Sequence, residues 1–120
     1  MDTEPLEIER LNGPLDTQRV LRLRGPLTNE TVSPFQNLLR NETAPVVFLD
    51  LAGVPYVDSA GLGTLVSAMV TCQKAGRSFV LSGVNPRVSK LFEITHVQDL
   101  FLVFPTLPEA VTALTNTASA

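Results

Sequence analysis

The sequence predicts an α/β fold: a small mixed β-sheet, opened by an antiparallel hairpin and continued by parallel strands, with about four helices mostly on one face. Three observations carry this. The first 24 residues hold two short stretches of alternating apolar and polar residues separated by turn-forming residues. Later in the chain, short continuous apolar runs alternate with segments whose apolar residues repeat every three to four positions. Strands that alternate with helices require parallel neighbours joined by crossovers, which puts the helices against the sheet faces.

Leu6-Glu7-Ile8-Glu9-Arg10-Leu11 alternates and gives way to Asn12-Gly13-Pro14, a turn sequence. Val20-Leu21-Arg22-Leu23-Arg24 alternates again and stops at Gly25-Pro26, so the two read as an antiparallel pair with one wet face. Residues 31–41 place Val32, Phe35, Leu38 and Leu39 at helical spacing, with Pro34 tolerable because it lies near the start. Either Asn29 or Thr31 can cap this helix. Val46-Val47-Phe48-Leu49 is an uninterrupted β-branched and aromatic run, as expected of a central strand buried on both faces. A loop through Gly53 and Pro55 follows.

From Ser59, the residues Leu62, Leu65, Val66, Met69 and Val70 repeat with helical period to an end near Gly76, with Leu65, Val66 and Met69 as the expected buried stripe. Ser78-Phe79-Val80-Leu81-Ser82 is a second buried strand. Asn85 and Pro86 are a cap and first residue for a helix carrying Val88, Leu91 and Phe92 on one face. Phe101-Leu102-Val103-Phe104 is a last strand. Residues 107–114 form a closing helix with Ala110, Val111 and Leu114 inward, ahead of a polar tail at residues 115–120. The expectation is one domain over residues 1–120, with a core from about 6 to 114.

Composition narrows the function. With 120 residues, 44% hydrophobic and 18% charged, the chain has a globular balance. A net charge of −3, with nine scattered Lys and Arg, argues against a nucleic-acid partner. The acidic opening MDTEPLEIER lacks the apolar segment of a signal peptide, and the nearly apolar residues 45–57 are too short to span a bilayer. A cytoplasmic protein with no membrane partner is expected. Cys72, the one cysteine, falls in an apolar helical stretch and reads as a small core or boundary residue. His96, the one histidine, reads as a loop or helix-end residue. No metal site, cofactor site or catalytic residue is expected: there is no phosphate-binding glycine loop and no nucleophile elbow, and Asp50 and Asp58 have no assignable acid and base roles.

One segment concentrates the functional signal: Asp50-Leu51-Ala52-Gly53-Val54-Pro55-Tyr56-Val57-Asp58-Ser59-Ala60-Gly61-Leu62-Gly63. It runs a buried strand into a loop and presents Asp58 and Ser59 at the mouth of a helix. Either residue can serve as the N-cap. Ala60 and Gly61 put small residues in the first turn, leaving the serine hydroxyl unshielded, although glycine costs about 1 kcal/mol of helix propensity. A phosphate is electrostatically favoured at a helix N-terminus, so a phosphoserine fits there without unfolding the domain.

At these residues the chain resembles the STAS family, the domain shared by sulfate transporters and anti-sigma factor antagonists. The likeness continues through Lys74-Ala75-Gly76, Val84-Asn85-Pro86-Arg87-Val88 and Leu91-Phe92-Glu93-Ile94-Thr95, and the element order agrees from about residue 6 to 114. The resemblance implies a STAS-like fold and a regulatory binding protein that is not an enzyme: an anti-sigma factor antagonist. Its unphosphorylated form would capture an anti-sigma factor serine kinase and release the sigma factor, and phosphorylation at Ser59 would switch binding off. It further implies partner contacts at Thr28, Asp58, Ser59, Ala60, Gly61, Leu62 and Asn85, and admits a serine phosphatase as a second partner. Two departures stand out. Thr28 occupies a position that is often acidic in the family, and Ala60 replaces the second serine of the commoner Asp-Ser-Ser-Gly form, leaving Ser59 as the one acceptor in the motif. A non-switching STAS scaffold, or a subunit of a stressosome-like or lipid-transport complex, is the alternative; a hydrolase built on Asp58 and Ser59 lacks a base and oxyanion partners.

Overall fold

The computed structural model describes residues 4–119, with side chains through residue 115. The elements run β1 (Glu7–Asn12), β2 (Gln18–Arg24), α1 (Val32–Asn41), β3 (Val46–Gly53), α2 (Ser59–Lys74), β4 (Ser78–Ser82), α3 (Pro86–Ile94), a short 3-10 turn (Gln98–Leu100), β5 (Leu102–Phe104) and α4 (Leu107–Ser119). The sheet order is β1-β2-β3-β4-β5. β1 pairs antiparallel with β2, Ile8 opposite Leu23, and every later pair is parallel, with Leu21 beside Leu49 and Leu49 beside Leu81.

Alternation along the strands divides the interior in two. Leu21, Leu23, Val47, Leu49, Phe79 and Leu81 face α1, α2 and α3 and build the larger core with Phe35, Leu65, Val88 and Phe92. Val20, Phe48 and Val80 point to the opposite face, where α4 covers them with Ala110, Val111 and Leu114. Three helices therefore lie on one face and one on the other. The opening pair differs from the expected wet-faced hairpin, because α4 covers the turn end of its second face: Gln18 and Val20 are buried, and Leu11 packs there while Ile8 packs on the α1–α3 side.

Two boundaries also move. β3 continues through Asp50 to Gly53, because Asp50 is neutralised by Arg22 (Nε to Oδ2, 3.3 Å) on the adjacent strand. Helix α4 runs on to Ser119, so the backbone of the expected polar tail is helical through that residue; Thr115 accepts a hydrogen bond from Gln18 Nε2 at 3.2 Å. The side chains of residues 116–120 lie outside the described residues.

The buried stripe of α2 is rotated from expectation. Gly61, Leu62, Thr64, Leu65 and Cys72 are buried, whereas Val66 and Met69 are only half-buried against the core. The helix is apolar over most of its circumference, so periodicity alone could not select the inward face. Its packing on the sheet and against α1, where Gln36 Nε2 donates to Thr64 Oγ1 at 3.0 Å, selects it. His96 lies in the C-terminal turn of α3 with φ of 59°, where the N–H of Val97 donates to the Phe92 carbonyl at 2.9 Å in a left-handed helix stop.

Candidate functional site at the mouth of helix α2

Two loops at the C-terminal ends of the parallel strands build the site. The β2–α1 loop and the β3–α2 loop run side by side through a parallel bridge between Leu27 and Val57. The Leu27 N–H donates to the Tyr56 carbonyl at 3.1 Å, and the Asp58 N–H donates to the Leu27 carbonyl at 3.1 Å. Asp58 then joins both loops with its side chain. Its Oδ1 accepts from the Gly61 N–H at 3.0 Å, which caps α2, and its Oδ2 accepts from the Asn29 N–H at 3.0 Å. Partial burial pushes this carboxyl pKa upward, but the N–H groups of Gly61, Asn29 and Ala60 outweigh it, and the net direction is down.

Of the two possible caps, Asp58 takes the role, and Ser59 becomes the first residue of α2. Ser59 is exposed, and its hydroxyl makes no hydrogen bond among the described residues. Gly61 has a packing reason beyond an open first turn: a Cβ there would stand 2.2 Å from the Leu27 carbonyl oxygen. Helix α2 thus docks against the neighbouring loop at a distance only glycine permits.

The remaining expected site residues divide by exposure. Asp58, Ala60 and Asn85 are half-buried, and Gly61 and Leu62 are buried. Thr28 is 8% exposed; its N–H donates to Thr31 Oγ1 at 2.9 Å, and its own hydroxyl accepts from the Glu30 N–H at 3.3 Å. Thr28 therefore shapes the turn before α1 and offers little surface. Asn85 caps α3 through its Oδ1, which accepts from the Val88 N–H at 2.8 Å, while its Nδ2 donates to the carbonyls of Val54 and Pro55, both at 3.1 Å. It holds the β3–α2 loop from behind.

Sequence reasoning offered Asn29 as a possible cap of α1 and missed its part in this site, where it acts through its backbone N–H and so has no side-chain signature. It also missed the rim formed by Tyr56 and Arg87, whose guanidinium carbon lies 5.0 Å from the centre of the Tyr56 ring. Among the described residues, no group of three or more His, Cys, Asp or Glu side chains is placed to hold a metal ion, and no helix is long and apolar enough to cross a membrane.

Together, the fold and site define an α/β domain that exposes a serine at a helix mouth between two cross-braced loops. The chain belongs to the STAS domain family, whose model matches residues 6–110. It is 37% identical over 57 residues to an anti-sigma-B factor antagonist of Staphylococcus epidermidis, covering 48% of this chain and 53% of that protein. The chain thus spans about half the length of the curated relatives it matches. Among solved structures, a sulfate transporter family protein of Wolinella succinogenes superposes with a TM-score of 0.80 at 22% identity, covering 90% of this chain and 92% of that one. The anti-sigma factor antagonist SpoIIAA in its unphosphorylated form gives 0.73 at 17% identity, covering 92% and 96%. SpoIIAA of Bacillus in its phosphorylated form gives 0.71 at 16%, covering 90% and 99%. At these identities the superpositions establish the fold.

Proposed function

We propose that this protein is a cytoplasmic anti-sigma factor antagonist whose unphosphorylated form binds an anti-sigma factor serine kinase and thereby frees the sigma factor. Phosphorylation of Ser59 switches that binding off. The observation that carries this reading is the exposed Ser59 hydroxyl, unbonded among the described residues and one position after the residue that caps the helix. Modifying it disturbs no contact that the fold needs. The names of the staphylococcal relatives and of SpoIIAA support the same reading.

The switch is local. The kinase transfers the γ-phosphoryl group of ATP to Ser59 Oγ; the O–H bond breaks, an O–P bond forms, the proton leaves to solvent or a kinase base, and ADP departs. The phosphoserine carries about −1.5 to −2 charges. The N–H groups at the start of α2 tolerate it, so the domain stays folded. A partner surface docked over Ser59, Asp58 and the half-buried Ala60 would have to desolvate that charge beside an existing carboxylate, so affinity falls. A serine phosphatase restores the hydroxyl by hydrolysis.

The test is incubation with an anti-sigma factor serine kinase and ATP, followed by intact mass and binding measurements. One phosphoryl group is expected on the native chain and none on Ser59→Ala, which should bind the kinase constitutively. Ser59→Asp should keep its thermal midpoint and bind at least tenfold more weakly. Equal binding by the two folded variants would overturn the switch and leave a non-switching scaffold or complex subunit as the better reading.

A further inference from the structure

Between α1 and α2 lies a cavity of about 520 Å³ that meets the proposed switch surface only at Ala60, a volume within the usual range of small-molecule sites. Leu39 of α1 and Ala68 of α2, both half-buried, supply its accessible apolar wall, with Val47, Phe79 and Cys72 buried at its floor. The α2 wall is open at Gly63, where a Cβ would meet nothing within 4 Å.

The charges around this cavity are unbalanced. Glu42 is its one lining carboxylate, and both of its oxygens are committed: Oε1 to Arg10 at 3.2 Å and Arg19 at 3.1 Å, Oε2 to the N–H groups of Thr43 and Ala44 at 3.1 and 3.0 Å. Arg40 and Arg77 also line the cavity, and neither has a carboxylate partner among the described residues. Arg77 is held in place by its Nε donating to the Ala44 carbonyl and its Nη2 to the Glu42 carbonyl, both at 3.0 Å, which leaves Nη1 uncommitted. A cleft with apolar residues at its floor, Gln36, Thr64, Ser67 and Thr71 on its walls, and a fixed guanidinium without a carboxylate partner suits a ligand whose short apolar body ends in a single anionic group.

We propose that the α1–α2 cavity binds an amphipathic carboxylate, its hydrocarbon body against the half-buried Leu39 and Ala68 and its carboxylate paired with Arg77 and Arg40. The cavity touches the α2 mouth at Ala60, but the proposal does not rest on the Ser59 reading, since neither arginine belongs to that mouth.

The experiment is a 1H–15N NMR titration of the full chain with sodium hexanoate and octanoate, with 1-octanol and acetate as controls. Saturable shifts are expected at the amides of Gly63, Thr64, Ala68 and Arg77, with octanoate roughly tenfold tighter than hexanoate for its two extra methylenes. Octanol and acetate should each bind at least tenfold more weakly than octanoate. Ala68→Leu, which fills the α2 wall, and Arg40→Gln, which alters an exposed residue, should each weaken octanoate at least fivefold while keeping the native spectrum and thermal midpoint. Absence of saturable shifts, equal binding of octanol, or unchanged affinity in both folded variants would overturn the proposal. So would shifts at the same amides on raising protein concentration alone, which would assign the groove to a second copy of the chain.

Discussion

Helices α2 and α3 start in similar ways: each follows a parallel strand of the sheet and each is capped by an Asx side chain, Asp58 and Asn85 respectively. What each cap does with its second polar atom differs. Asn85 donates its amide to the Val54 and Pro55 carbonyls, and the residue after it is Pro86, which offers no donor. Asp58 accepts from Asn29 on the neighbouring loop, and the residue after it is Ser59, whose hydroxyl stays unbonded among the described residues. Both mouths are braced to a neighbouring loop, but only the α2 mouth follows its cap with a residue that keeps one reactive oxygen exposed. A helix start can present a modifiable group only where a different residue does the capping.

The largest expected effect tests how firmly each helix is anchored behind its mouth. Leu65 of α2 is 0% exposed, and Leu65→Ala should cost about 2–5 kcal/mol in denaturant unfolding. Leu91→Ala in α3 should cost less, because Leu91 is only half-buried. A loss below about 0.5 kcal/mol at Leu65 would mean that the inward face of α2 is wrongly assigned.

The next effect tests the close docking that distinguishes the α2 mouth. Gly61→Ala drives a Cβ into the Leu27 carbonyl and should destabilise by about 1–3 kcal/mol, as overpacking does. Gly63→Ala, two residues on and facing open space, should have the opposite sign and stabilise by up to about 1 kcal/mol. Thermal melts of the two variants check this, and equal effects would remove the loop contact from the account.

The smallest effect separates the two caps by chemistry. Asp58→Ala and Asn85→Ala should each cost about 1 kcal/mol near neutral pH. Only the Asp58 cap titrates. Its folded-state pKa lies below the ordinary carboxylate value, so the unfolded chain binds the proton first and the stability from ionised Asp58 is complete above that ordinary value. That stability is lost as pH falls through the folded value. The gap between native protein and Asp58→Ala should therefore narrow on acidification below about pH 4, while the Asn85→Ala gap persists. Glu42 is likewise lowered, because the Ala44 N–H and the Arg10 and Arg19 guanidiniums outweigh its burial, and it adds to the same acid lability in both variants.

Much of the site was legible because its signals are local. Asn85-Pro86 reads as a cap and first helical residue from rotamer and ring geometry alone, and the apolar runs at Val46-Val47-Phe48-Leu49 and Ser78-Phe79-Val80-Leu81 need no distant partner to read as strands. The rotation of α2 was not legible, since Leu62, Leu65, Val66, Met69 and Val70 are comparably apolar and only the neighbouring sheet and α1 distinguish them. The brace from Asn29 to Asp58 links residues 29 positions apart through a backbone N–H, which every non-proline residue possesses.

Local signals along the chain set the order and kind of the elements, the mixed sheet and a serine at a helix mouth, because periodicity, turn chemistry and caps act over a few residues. That Asp58 and not Ser59 is the cap, and that Gly61 is needed for a carbonyl on another loop, follows from the packed fold. The packed fold also turns Thr28 inward and lays α4 over the second face of the sheet. Each of these depends on which strands lie side by side, and contacts between segments distant in the chain exist only once the sheet has brought them together.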